Sequence, residues 1–177
     1  MTGITKREAS ILWGNGFKLK DKEGNVYDIL SCGEGYIEAV IKVNSRTYRK
    51  FITLKEIGTD YHIICHSIEK LTQTIMHEGN ARTGISLLLK RFSLLDLSEC
   101  VFEVWGDFNN CFANAVHNGN VIDAITFDGT VFDTMKNGGD FYSYKPQTEL
   151  WSYLDTLHFD YLGWRERGLT ADKLNTK

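Results

Sequence analysis

The stretch from residue 147 to 162 constrains this chain more than any other. Leu150, Leu154, Leu157 and Tyr161 recur at helical spacing, Trp151, His158 and Leu162 occupy the adjoining row, and Asp155, Thr156 and Asp160 fall elsewhere. Pro146 suits a first helical turn, Glu149 stands where the helix dipole favours an anion, and Gly163 supplies a stop. The pattern predicts a long C-terminal amphipathic helix over 147–162. A stripe this broad needs an apolar surface to cover, so the rest of the chain must provide one.

Upstream, the spacing alternates between strand and helix. Thr5 and Glu8 have capping-box spacing and predict a short helix that ends by Gly14-Asn15-Gly16. Segments 17–19 and 26–30, then 36–43 and 47–54, predict two hairpins of an antiparallel meander, with 61–65 as a further edge. The stretch 67–78 carries Ile68, Leu71, Ile75 and Met76 roughly on one face and predicts a helix stopped by Gly79-Asn80. A second helix, 84–92, is nearly apolar all round. Strands are expected at 100–105, 121–127 and 130–132, the last two joined by a two-residue Asp128-Gly129 loop. Turns are expected at 107–110 and 117–120, and a loop at 136–140. The fold class is α+β: an N-terminal antiparallel β-meander, central short helices, a second small antiparallel sheet with an Asp-Gly hairpin, and the C-terminal helix. The chain reads as one compact domain, 1–177, in which 1–66 and 96–177 are subdomains joined by helical 67–95.

With 177 residues, 42% of them hydrophobic and 12% aromatic, the chain can bury a core. Its first residues turn charged before any apolar run develops, and no window approaches the ~18 apolar residues of a membrane span, so the expected setting is cytoplasmic and soluble. Cys32, Cys65, Cys100 and Cys111 lack CxxC spacing and read as reduced thiols. The net charge of −3 is unevenly spread. Through Lys90 there are 13 Lys/Arg against 10 Asp/Glu, and from Arg91 onward 7 against 13. This acidic second half suits a basic partner.

The densest set of ligand-capable side chains is His62, Cys65 and His66. In a strand, His62 and His66 stand about 13 Å apart, too far for one zinc ion. His117, in an Asn-Gly turn, and His77, beside Glu78, have no local partner marking them as a general base. Asp123 and Asp133 are expected to face each other across the Asp-Gly hairpin as like charges rather than an acid–base couple. Gly14-Asn15-Gly16 precedes a strand, the wrong order for a phosphate loop. No cofactor, metal or catalytic group is therefore assigned. Lys42, Arg46, Tyr48, Arg49 and Lys50 form a basic hairpin with one aromatic, but a sequence pI near 5.9 argues against direct nucleic-acid binding. Trp105, Trp151, Tyr153, Tyr161 and Trp164 exceed what a small core needs, and any of them left outside would anchor a protein partner.

The run from Leu157 through His158-Phe159-Asp160, Gly163, Glu166-Arg167-Gly168-Leu169 to Asp172 resembles the endings of a family of small uncharacterised proteins encoded by phages and prophages of bacteroidete bacteria. Weaker similarity extends to residues 12–18 and 67–75. The chain departs from that pattern where Trp164 and Arg165 replace smaller apolar residues. The resemblance implies a mobile-element origin and carries no catalytic residue. The resulting expectation is a phage-type accessory protein acting by protein binding in the bacterial host cytoplasm. It would inhibit a host defence nuclease as anti-CRISPR proteins do, with Asp123, Asp128, Asp133, Trp164, Arg165 and Arg167 at the contact and a basic nucleic-acid-binding host protein as partner. A virion or head-to-tail component and a small metal-dependent hydrolase are the alternatives.

Overall fold

The computed structural model describes residues 3–107, 109–136, 140–143 and 147–172. It confirms a mixed α+β chain, built as two compact units. One comprises Met1–Ser67 together with His158–Lys177, and the other Ile68–Leu157.

The first unit begins with α1 (Lys6–Gly14), whose N-terminus has the expected capping box. Thr5 Oγ1 accepts the Glu8 N–H at 3.2 Å and Glu8 Oε2 accepts the Thr5 N–H at 2.7 Å. Five strands follow: β1 (Lys18–Asp21), β2 (Val26–Cys32), β3 (Tyr36–Val43), β4 (Arg46–Thr53) and β5 (Tyr61–Ser67). The two predicted hairpins are present. Between them they place β1 beside β2, β2 beside β3 and β3 beside β4, with β5 antiparallel to β1 on its other side. Leu19, Ile37, Ala39, Ile52 and Ile63 turn into a core shared with Ala9 and Leu12 of α1.

In the second unit the predicted helix over 67–78 is replaced. A short 3-10 turn, Ile68–Lys70, leads into a hairpin of β6 (Thr74–His77) and β7 (Asn80–Thr83). Glu78 and Gly79 both take positive φ and form the two-residue hairpin turn, so of the expected Gly79-Asn80 helix stop Gly79 lies in that turn and Asn80 opens β7. The alternation of Thr74, Ile75, Met76 and His77 fits a strand as well as a helical face, and cross-strand pairing decides between them. The apolar helix is found where expected, as α2 (Gly84–Phe92). Next come β8 (Val101–Asp107), β9 (Asn110–His117), β10 (Asn120–Phe127), β11 (Phe132–Lys136) and β12 (Asp140–Ser143), a five-stranded antiparallel sheet in the order β12-β11-β10-β9-β8. Strand β9 occupies the segment between the two expected turns, for which the sequence predicts no element, and is defined by its pairing with β8 and β10. The loop after β10 is longer than the expected two residues. Phe127 pairs with Phe132, and Asp128 closes residues 128–131 by accepting the N–H groups of Thr130 and Val131, each at 2.8 Å.

The C-terminal helix is shorter than its apolar stripe. Helix α3 spans Gln147–Thr156, and the expected extension to residue 162 does not occur. The predicted start at Lys145-Pro146 and most of the 136–140 loop lie outside the described residues. His158 adopts a positive φ of 60°, which ends the helix, and its carbonyl accepts the His66 N–H at 2.7 Å. Here the chain leaves the second unit and re-enters the first as β13 (Phe159–Asp160) and β14 (Thr170–Asp172), both parallel to β5. Leu150, Leu154 and Leu157 are buried in one unit, and Phe159 and Trp164 in the other. Among the described residues no helix is long and apolar enough to cross a membrane.

Of the four cysteines, Cys65 and Cys111 are buried and Cys32 and Cys100 half-buried. Burial, with a smaller contribution from Asp107, pushes the Cys111 thiol up to about 12, so it stays protonated and unreactive at neutral pH. Alkylation of the native protein, read by mass spectrometry, is expected to modify Cys32 and Cys100 and to spare Cys65 and Cys111. Rapid labelling of Cys111 would contradict its burial.

Candidate interaction surface

The five-stranded sheet has one face of buried side chains and one on which several aromatic and acidic side chains are exposed. Its inner face carries Cys111, Ala113, Ala115, Ile125, Phe127 and Phe132, all buried. Phe127 stacks on Phe132 with centroids 4.3 Å apart, and Trp151 of α3 meets both edge-on at 5.8 and 5.2 Å. Gln147 locks α3 to β11 by accepting the Phe132 N–H at 3.0 Å and donating to its carbonyl at 2.7 Å.

The outer face is different. Register aligns Trp105, Phe112, Thr126 and Asp133 in one row across β8, β9, β10 and β11, a span of about 14 Å at ~4.8 Å per strand. The next same-face rows join Glu103 to Asn114, and Val101 to Val116 and Val121. Trp105 and Phe112 stack at 4.9 Å with an interplanar angle of 26°, yet remain 43% and 37% exposed. The end of the sheet beside this pair is acidic. Asp107 closes the β8–β9 turn by accepting the Asn109 N–H at 2.9 Å, and Gly129 of the β10–β11 loop approaches the Asn109 backbone. Asp128 therefore shares this rim. Hydrogen bonds from the Val131 and Thr130 amides and the Thr130 hydroxyl hold its carboxyl below the usual range, so it stays anionic at neutral pH.

The residues expected at a contact thus separate. Asp128 and Asp133 lie with the exposed aromatics. Asp123 does not: it sits one residue off the outer row, buried, accepting the Ala124 N–H at 2.8 Å and the Ser93 hydroxyl. A register shift between Val121 and Asp123 and the pairing of Thr126 with Asp133 place Asp123 and Asp133 on opposite faces rather than opposite one another. Trp164, Arg165 and Arg167 belong to the other unit. Trp164 is fully buried rather than a surface anchor, because its ring packs edge-on against Phe17 at 5.4 Å and its indole N–H donates to Glu8 Oε1 at 2.9 Å. Arg167 donates to the same Glu8 oxygen and to the Gly3 carbonyl at 2.9 Å. Arg165 is exposed, and its backbone N–H donates to Asp160 Oδ2 at 2.7 Å. Of the surplus aromatics, Trp105 alone is exposed; Trp151, Tyr153 and Tyr161 are half-buried. Sequence reasoning missed Phe112 because it missed β9.

His62 and His66 lie four residues apart on β5, and among the described residues no group of three or more His, Cys, Asp or Glu side chains is placed to hold a metal ion. A groove of about 470 Å³ runs beneath β8, lined by Arg82, Lys90, Leu97, Phe102 and Val104 among others. Its hydroxyls on Thr83 and Ser86 are engaged in capping α2. Compared with protein-family models, with curated proteins and with solved structures, the chain matches none.

Proposed function

We propose that this chain is a phage-type accessory protein acting by protein binding, which blocks a host defence nuclease through the acidic, aromatic-bearing face of its five-stranded sheet. The observation that carries the reading is the stacked, half-exposed Trp105–Phe112 pair flanked by Glu103, Asp107, Asp128 and Asp133. Rigid aromatics on a strand scaffold lose little entropy on docking, and a carboxylate rim suits the cationic groove with which a nuclease holds nucleic acid. Between Asp96 and Asp160 only Lys136 and Lys145 offset eleven acidic residues, which supports a basic partner. The likeness of residues 157–172 to phage-protein endings supports the setting.

The test is DNA cleavage by a purified CRISPR effector nuclease titrated with the protein. Inhibition is expected, weakening as salt rises. Trp105→Ala should raise the inhibitory concentration by about tenfold or more, and Glu103→Lys with Asp133→Lys should slow association. Asp128→Asn is the suitable change at the rim, since asparagine keeps the turn's acceptor while removing the charge. An inhibitor indifferent to all of these changes would exclude this face.

A further inference from the structure

The first unit carries a surface of opposite character. Its β3–β4 hairpin turns through Asn44 and Ser45 at positive φ, and every residue from Lys42 to Phe51 is exposed. Strand β4 ends the seven-stranded sheet, so among the described residues no strand pairs with its outer edge. Residues 42–50 hold Lys42, Arg46, Arg49 and Lys50 and no carboxylate. Strand alternation puts Arg46, Tyr48 and Lys50 on one side of β4, and Arg49 and Phe51 on the other. Tyr48 is 50% exposed and Phe51 64%, and Phe51 meets the exposed Tyr36 edge-on at 5.4 Å. Lys50 is seated over the Tyr61 ring with its ammonium 5.1 Å from the centroid, while Arg49 pairs with Glu38 at 3.0 Å.

The acidity of the whole chain hides this patch. The unit holding it has 14 Lys/Arg against 11 Asp/Glu, whereas the other has 6 against 12. Folding therefore segregates charge that the overall pI averages away.

We propose that the β3–β4 hairpin binds single-stranded nucleic acid that crosses the edge of β4, so that Arg46 and Tyr48 meet it from one face and Lys42, Arg49 and Phe51 from the other, the cations on phosphates and the two rings stacking on bases. Charge complementarity selects a polyanion, and the exposed flat rings select one that offers unpaired base faces. An acidic peptide has no such faces, and a duplex keeps its own closed by stacking. This binding is independent of the acidic face on the other unit.

The experiment is fluorescence anisotropy of a labelled oligothymidylate of about fifteen nucleotides titrated with the full chain. Saturable binding at low salt is expected. Tyr48→Ala should weaken it by about tenfold while Tyr48→Phe retains it, and the Arg46→Ala/Arg49→Ala double variant should flatten the log–log salt slope by about 1.4. Thermal melts should match wild type, since these side chains are exposed. Any one of four results would overturn the proposal: no anisotropy change at low salt, equal affinity for a duplex of the same length, displacement by polyglutamate as effective as by unlabelled oligonucleotide, or wild-type affinity in Tyr48→Ala.

Discussion

Replacing Trp164 with alanine is expected to destabilise the first unit by about 3–5 kcal/mol, measured by chemical denaturation. The residue is fully buried. It packs on Phe17, which also lies against the His158 ring at 4.7 Å, so truncation opens a cavity at the junction of α1, β1 and the returning C-terminal segment. The indole N–H also donates to Glu8, and Asp160 fixes the turn by accepting the Trp164 N–H at 3.0 Å. An effect below about 1 kcal/mol would show that the ring is not core material. The acidic side of the same cluster yields a pH dependence. Burial pushes the Glu8 carboxyl up, but hydrogen bonds from Arg167, Thr5 and Trp164 outweigh it and leave the carboxyl below its ordinary value. A depressed folded-state value means that this stabilisation is present above the unfolded carboxyl pKa of about 4.3 and is lost as pH falls through the folded one. The stability gap between wild type and Glu8→Gln should accordingly narrow below about pH 4. A gap constant down to acid unfolding would disprove the linkage.

The second large effect concerns Asp123, and it separates fold from surface. Asp123→Lys is expected to destabilise the second unit by about 3 kcal/mol or more, because it drives a longer cation into a buried site built to accept the Ser93 hydroxyl and the Ala124 amide. Asp133→Lys, on the half-buried outer row of β11, should change stability far less. Denaturation of the two single variants side by side checks this. Comparable losses would place Asp133 inside the fold and remove it from the proposed contact face.

Local chemistry was legible where one short segment decides its own conformation. The capping box at Thr5 and Glu8, the two hairpins of the first sheet and the apolar helix at 84–92 are read from spacing alone, because each satisfies its backbone and buries its stripe within a few residues. Residues 67–78 illustrate the limit. Ile68, Leu71, Ile75 and Met76 satisfy a helical period, yet Thr74–His77 pairs with Asn80–Thr83, and the hydrogen bonds of that ladder come from a neighbour that no window on the segment contains. The site was half legible for the same reason. Asp128 and Asp133 were found by charge, but Phe112, which stacks on Trp105, belongs to a strand that its own sequence leaves unmarked.

By itself, then, the sequence determined an α+β chain with an antiparallel meander, an acidic stretch after residue 95 and a C-terminal apolar stripe. Only tertiary structure decided what the stripe is for. Periodicity records which side chains are apolar, not which body each one joins, and the turn at His158 sends Leu150, Leu154 and Leu157 into one core and Phe159 and Trp164 into another. The same long-range pairing buried Trp164 beside Glu8 and left Trp105 outside beside Phe112. Whether an aromatic side chain is core or contact depends on what packs against it, and that is settled by residues far along the chain.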